Sequence, residues 1–321
     1  MRQTTAFLAA GLLALNMLAG SALAADPTLL NLVMPDAQVM AGVNVTNATV
    51  TPLGTFLVTH LSNDPGLQQL IAQTGFDPSK DLTEVLAASN GNTAAPSGLT
   101  LAKGNFDVAK IVAQVSAGSN LQVSSYGGAT LITAANPKDT YAFAFIGGSI
   151  AVTGDIASVK AALDRKGAVN SIDPALATQV QALSTTEDAW SVSLASLGSL
   201  IPGGAAASGG AGQTLQLVKN IQSSSAGLKF GGSVQFTAQA VADTPQDASA
   251  LGDVIKMIAS LAAMSAANNK DAAAIAQALQ SLQVTTSGAT VNLSASLPEA
   301  QVEALLSAAL TPHAALKTNK L

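Results

Sequence analysis

Apolar and polar positions along this chain recur with two spacings, one helical and one extended, and together they divide it into elements. Val108, Ile111, Val112 and Val115 lie on one helical face behind Asp107, an N-cap, and Phe106 is placed to staple onto Ile111. Gly154-Asp155 opens a second helix with Ile156, Val159 and Leu163 on one side. Arg165 and Lys166 fall in its last turn and Gly167 ends it, so this basic pair reads as helix-end chemistry and not as a binding patch. Thr244-Pro245 starts the longest helix, whose stripe of Leu251, Val254, Ile255, Ile258, Leu261 and Ala262 is expected to face the core. Ser296-Leu297-Pro298-Glu299 has the form of a capping box before a final helix that buries Val302, Leu305, Leu306 and Ala309.

Between the helices, β-favouring stretches predict strands at 38–45, 99–102, 141–145, 149–152, 190–194, 227–230 and 233–240, with Gly147-Gly148 as a hairpin turn. Residues 90–97 form a polar loop. One pattern occurs twice. Leu121-Gln122-Val123-Ser124-Ser125 precedes a Gly turn and a second strand at 129–133, and Leu282-Gln283-Val284-Thr285-Thr286 precedes Gly288 and a second strand at 290–294. Each copy follows a helix. Strand pairs on tight turns, interrupted by single helices, predict an α+β fold with largely antiparallel sheets and packed amphipathic helices, in two related halves at 25–140 and 141–321. Residues 202–212, rich in Ala, Gly and Ser, read as a flexible linker in the second half. They lack both the glycine spacing and the Gly-Lys-Ser/Thr ending of a phosphate cradle.

The first 24 residues change the picture most. Arg2, an apolar run from Ala6 to Leu18, and the small-x-small site Ala22-Leu23-Ala24 form a cleavable export signal, so the mature chain is expected to begin at Ala25 or Asp26. No later run approaches the length of a membrane helix, and no stable membrane insertion is expected after cleavage. The expected location is the periplasm or the exterior of a bacterial cell. The chain contains no Cys, so thiol catalysis, thiolate metal sites and disulfide staples are excluded, and the fold must rest on its core. Charged residues are only 10% and aromatics 3%, which predicts an aliphatic, small-residue core. A formal charge of −5 without a Lys/Arg cluster excludes nucleic acid as a partner.

Candidate chemistry is sparse. His60 and His313 have no partner at ligand spacing, and no Gly-x-Ser-x-Gly, Ser-x-x-Lys or His-Glu-x-x-His sequence occurs. Asp77, Asp107 and Asp155 are explained as caps. Asp36, Asp64 and Asp81 do not have calcium-loop spacing. Glu187-Asp188, just before the strand with Trp190, reads as a solvated turn, with a sugar-binding carboxylate pair as the competing reading. Asn44-Val45-Thr46 and Asn47-Ala48-Thr49 read as polar turn and strand positions and not as glycosylation sites. No catalytic, cofactor-binding or metal residue is assigned.

The run Gly75-Phe76-Asp77-Pro78-Ser79-Lys80-Asp81-Leu82, followed by Gly104-Asn105-Phe106-Asp107 and Ala161-Ala162-Leu163-Asp164-Arg165, resembles a group of exported bacterial proteins of acidobacterial type with unassigned function. The resemblance spans most of the mature chain and rests on caps and turns. It implies an exported, two-part α+β protein and transfers no catalytic residue. The expected function is therefore non-catalytic binding or scaffolding in the cell envelope, with an unknown protein or an apolar ligand as partner. The alternatives are a periplasmic carrier of an apolar small molecule or lipid, and a carboxylate-dependent hydrolase using pairs such as Glu187 and Asp188.

Overall fold

Tight glycine turns set the strand order. Gly127 and Gly128 both have positive φ, 56° and 75°, the backbone that a two-residue hairpin turn with right-handed twist requires. A computed structural model of the chain describes residues 25–61, 64–118, 120–136, 138–196, 217–266 and 279–310. The expected export signal at 1–24, the expected linker at 202–212 and His313 lie outside the described residues.

The elements run α1 (Pro27–Leu30), β1 (Val39–Asn44), α2 (Val45–Thr49), α3 (Pro52–Leu61), α4 (Pro65–Thr74), α5 (Pro78–Asp81), β2 (Leu82–Ser89), β3 (Gly98–Gly104) and α6 (Val108–Gly118). They continue with β4 (Leu121–Tyr126), β5 (Ala129–Ala134), β6 (Tyr141–Ile146), β7 (Ile150–Asp155), α7 (Ile156–Asp164), α8 (Pro174–Thr186), β8 (Ala189–Ser193), β9 (Ile221–Lys229) and β10 (Ser233–Ala242). The last are α9 (Pro245–Ala266), β11 (Gln283–Ser287), β12 (Thr290–Pro298) and α10 (Glu299–Leu310). Twelve strands form one sheet in the order β11-β12-β10-β9-β8-β1-β2-β3-β7-β6-β5-β4. Every pairing is antiparallel. The fold is α+β with an antiparallel sheet, as the residue pattern predicts.

The sheet crosses the 140/141 boundary without a break, because β5 and β6 on either side of it are paired. The two echoed sequences lie far apart, as the hairpins β4–β5 and β11–β12 at opposite edges of the sheet. Their settings differ: β12 pairs directly with β10, whereas β6 and β7 lie between β5 and β3.

Register assigns the side chains to two faces. The front carries Trp190 and Val192 on β8, Met40 on β1, Leu86 on β2, Leu101 on β3, Val152 on β7, Ala144 on β6 and Leu131 on β5, all buried. Leu29 of α1, Val159, Ala162 and Leu163 of α7, and Leu176 and Val180 of α8 close over this row in the main core. Two smaller clusters form on the back. Phe106, Ile132 and Phe145 pack with α6, and Ala242, Val291, Ala248 and Leu251 pack with α9.

Most caps sit where the residue pattern puts them. Asp107 Oδ1 accepts from Lys110 N at 3.1 Å, Asp155 Oδ1 from Ser158 N at 2.9 Å, and Asp77 Oδ1 from Ser79 N at 3.1 Å. Burial pushes the Asp155 carboxyl up, but the Ser158 donors outweigh it and hold it below the usual carboxylate range. Asp155→Ala is expected to cost about 0.5–2 kcal/mol, read as a lower urea midpoint. A depressed carboxylate stabilises above its unfolded pKa, so the difference between Asp155→Ala and wild type should shrink as pH falls through the folded pKa. Arg165 and Lys166 do end α7, and each donates to a carbonyl elsewhere: Arg165 Nη2 to Leu32 at 2.8 Å, and Lys166 Nζ to Gly127 at 2.8 Å.

Four expectations need correction. Strand β2 was missing from the predicted set, because its Leu-Ala-Ala sequence lacks β-branched residues after Val85. Strand β9 begins at Ile221 and not near 227, its first half being a Gln/Ser run with weak strand propensity. The capping box at Ser296 does not form. β12 continues to Pro298, Ser296 pairs with Gln235, and Glu299 turns inward, buried, to accept from Leu53 N at 3.3 Å. The stripe of α9 faces the core only in its first half. Leu251 is buried, but Ile258 and Leu261 are 51% and 58% exposed. A 22-residue helix is about 33 Å long, and the five-residue β11 beneath it spans about 17 Å, so the helix outruns its support.

Candidate binding site

The front of the sheet is covered by helices over β8 to β5. α8 also reaches β9, and the front beyond it opens into two grooves over β10 to β12. Alternation within these four strands puts one residue type on this side. β9 contributes Ser225, β10 contributes Gln235, Thr237 and Gln239, β12 contributes Asn292, Ser294 and Ser296, and β11 contributes Gln283 and Thr285. Register aligns them in rows: Ser225, Gln239, Asn292 and Thr285 in one, and Thr237, Ser294 and Gln283 in the next. The opposite parity carries Val234, Phe236, Ala240, Val291 and Leu293, which face α9 and α10. Period-two patterning thus makes a polar platform with an apolar underside.

Two adjoining grooves run over the platform. The first, of about 500 Å³, is walled by Gln179, Ala182 and Leu183 of α8 and floored by the row of Ser225, Gln239, Asn292 and Thr285. The second, of about 530 Å³, shares Thr237, Gln283 and Ser294 with it and extends past Gln235 and Ser296 to Gln280. Among the described residues the lining of both grooves is uncharged, but the Glu187 carboxyl hydrogen-bonds with Thr237 at their margin. Gln239 Nε2 donates to Asn292 Oδ1 at 3.0 Å, which orients one amide and leaves Gln239 Oε1 and Asn292 Nδ2 to meet a ligand. Such a surface offers paired donors and acceptors, with one carboxyl group at its edge.

Asp188 lies beside the platform and Glu187 at its edge, where the Glu187 carboxyl hydrogen-bonds with Thr237, and the expectation of a solvated turn is corrected for both. Asp188 is buried. Its carboxylate accepts from Lys229 Nζ and Phe230 N, each at 2.8 Å, and from Asn47 Nδ2 at 3.4 Å. Its backbone N–H donates to the Leu228 carbonyl, and its carbonyl accepts from Asn44 N, so it joins β9, β1 and the start of α2. Glu187 packs against Gly227. Burial pushes its carboxyl above the usual range, partly offset by the nearby Lys229 charge. With Asp188 fully engaged, the two carboxyl groups do not face each other across a cleft as acid and nucleophile, which removes the geometry a carboxylate hydrolase requires.

The other candidates are dispersed. His60 lies in the last turn of α3 with its ring 6.3 Å from that of Phe56. Asn44 and Asn47 cap and occupy α2. Among the described residues no group of three His, Asp or Glu side chains is placed to hold a metal ion, and no helix is long and apolar enough to cross a membrane. Sequence reasoning missed the platform. Its only trace was the alternation in β10 to β12, which the apolar composition of the chain obscured.

Neither a family model nor a curated protein matches the chain. Solved structures do, among them crystal forms III and IV of TP0453, at 9% and 10% identity. Each has a TM-score of 0.52 and covers 88% of this chain, and the matches span 98% and 96% of theirs. At that identity the likeness is one of fold: this chain has the α+β architecture of TP0453 over almost its whole length.

Proposed function

We propose that this is an exported, non-catalytic binding protein of the bacterial cell envelope, periplasmic or extracellular, built from two related halves. Its ligand is a neutral, hydroxyl-rich molecule, such as an envelope oligosaccharide, laid across the front of β9 to β12. The observation that carries this reading is the platform itself, where amide and hydroxyl side chains from four strands stand in register beside α8. Sugar hydroxyls are both donors and acceptors, and Gln, Asn, Ser and Thr satisfy both without the desolvation cost of a buried charge.

Calorimetric titration of the mature protein with a neutral β-linked oligosaccharide such as chitohexaose tests it. Saturable binding is expected, and Gln239→Ala with Asn292→Ala should weaken it at least about tenfold through two lost hydrogen bonds. Both positions lie on the open platform, so the melting temperature should hold. Absence of saturable binding, or equal binding by the double variant, would reject the platform as the site. The carrier reading has one location in its favour, a cavity of about 290 Å³ between α1 and α8 lined largely by Pro27, Leu30, Ile172, Ala177 and Val180. A co-purifying mass of a few hundred daltons in native mass spectrometry, lost on denaturation, would favour that reading instead.

A further inference from the structure

The segment that follows the export signal ends in a carboxylate. Ala25 is buried in the main core, and the Asp26 backbone nitrogen lies 3.2 and 3.1 Å from Glu84 Oε1 and Oε2. Glu84 stands on the front of β2, directly opposite Lys103 of β3. Lys103 Nζ is engaged by the Asp26 carboxylate, which also caps α1 through Thr28 N at 2.8 Å. In the uncleaved chain this cluster holds two carboxylates and one ammonium, and both oxygens of Glu84 converge on one neutral amide. That arrangement is one positive charge short of balance. Burial pushes the Glu84 carboxyl above its usual range, and the Asp26 charge adds to this; the hydrogen bond from the Asp26 backbone N–H and then the Lys103 charge offset them only in part.

We propose that Glu84 is the counter-ion of the mature chain's α-ammonium, so that cleavage of the export signal completes the charge balance of the fold. Signal peptidase hydrolysis breaks the peptide bond before Ala25 or before Asp26. The new amine takes up a proton, and the leader leaves with the new carboxylate. If the mature chain starts at Asp26, the ammonium is the nitrogen already held by both Glu84 oxygens. If it starts at Ala25, three covalent bonds place it within about 4 Å of that nitrogen. In either case the cluster becomes neutral: Glu84 and Asp26 against Lys103 and the terminus. The leader thus keeps the precursor short of one ion pair that the exported protein possesses.

The test uses the protein processed and exported by a bacterial host. Intact mass identifies the first residue, and NMR titration of the α-amino group gives its pKa. A value at least about 1 unit above the ~7.7–8.0 of an unperturbed terminus is expected, which raises the ammonium-to-amine ratio about tenfold at equal pH. Glu84→Gln should return the value to that range, while Lys103→Met, which removes the competing cation, should not lower it. A terminus whose pKa rises on folding stabilises fully below its unfolded pKa and loses that effect as pH rises through the folded pKa. A chain carrying an extra Gly-Ser before Ala25 should therefore melt below the mature chain at pH 7, and the gap should close near pH 10. This comparison stands even if Glu84→Gln does not fold. A mature chain starting beyond Asp26, an unshifted α-amino pKa in the folded wild type, an unchanged pKa in Glu84→Gln, or equal melting of the extended chain would each overturn the proposal.

Discussion

Asp188→Ala should lower the melting temperature by about 3–6 °C, the consequence of losing about 2–4 kcal/mol in a chain of this size. The residue before β8 holds three elements at once. Its carboxylate is 4% exposed and accepts from Lys229 on β9, from Phe230 N just beyond that strand, and from Asn47 in α2. Truncation leaves the Phe230 N–H without this acceptor and Lys229 without its counter-ion. The Lys229 side chain is 39% exposed and can turn to water, so the backbone donor carries most of the cost. Asp188→Asn retains an acceptor for Phe230 N and should recover about half of the loss. Thermal melts of the three proteins decide the matter. Equal melting of Asp188→Ala and wild type would mean that the carboxylate adds nothing to the joint.

The second large effect is expected at Gly42, in the middle of the sheet. A Cβ placed there would lie 2.5 Å from Cζ2 of Trp190, its direct cross-strand neighbour on β8. The indole lies across the strand where a side chain would otherwise stand, sealed beneath α8 within the main core. Gly42→Val should displace the ring and destabilise the fold by about 2–3 kcal/mol through overpacking. Trp190 is the single tryptophan and is 6% exposed, so its emission should shift to the red as the ring moves towards water. Combining Gly42→Val with Trp190→Leu should cost less than the sum of the two changes, because the second removes what the first collides with. Strict additivity would show that the two side chains do not compete for the space.

The elements were legible where chemistry is local. Asp107, Asp155 and Thr244 are read correctly as helix starts because a cap satisfies donors within three residues of itself. The hairpin at Gly127-Gly128 is read because only glycine adopts that turn readily. Ser296-Leu297-Pro298-Glu299 has equally good local chemistry and fails, since nine residues of β12 find partners on β10 and this long-range pairing outweighs a cap. Ile258 and Leu261 satisfy the helical period and still face outward, because the period specifies a stripe and not the length of sheet beneath it.

The site was less legible than the fold. Glu187 and Asp188, adjacent and charged, have the composition of a solvated turn, and nothing local to them reveals that Lys229, Phe230 and Asn47 converge on Asp188. Thr237, Gln239 and Asn292 read as ordinary outward strand positions. They become a surface only because β9, β10, β12 and β11 lie side by side and because α8 walls the groove at β9 without covering it.

By itself the amino-acid sequence determined the helix caps, the glycine turns, the aliphatic cysteine-free core and the α+β class. Each depends on interactions within a few residues or on composition. Only the tertiary structure decided that the strands make one twelve-stranded sheet, that the front of β10 to β12 gathers amide and hydroxyl side chains, and that Glu84 meets the backbone of Asp26. Those outcomes depend on which distant strands pair and which face a helix covers. Such choices follow from the burial of apolar area over the whole chain, a sum that no short window of residues contains.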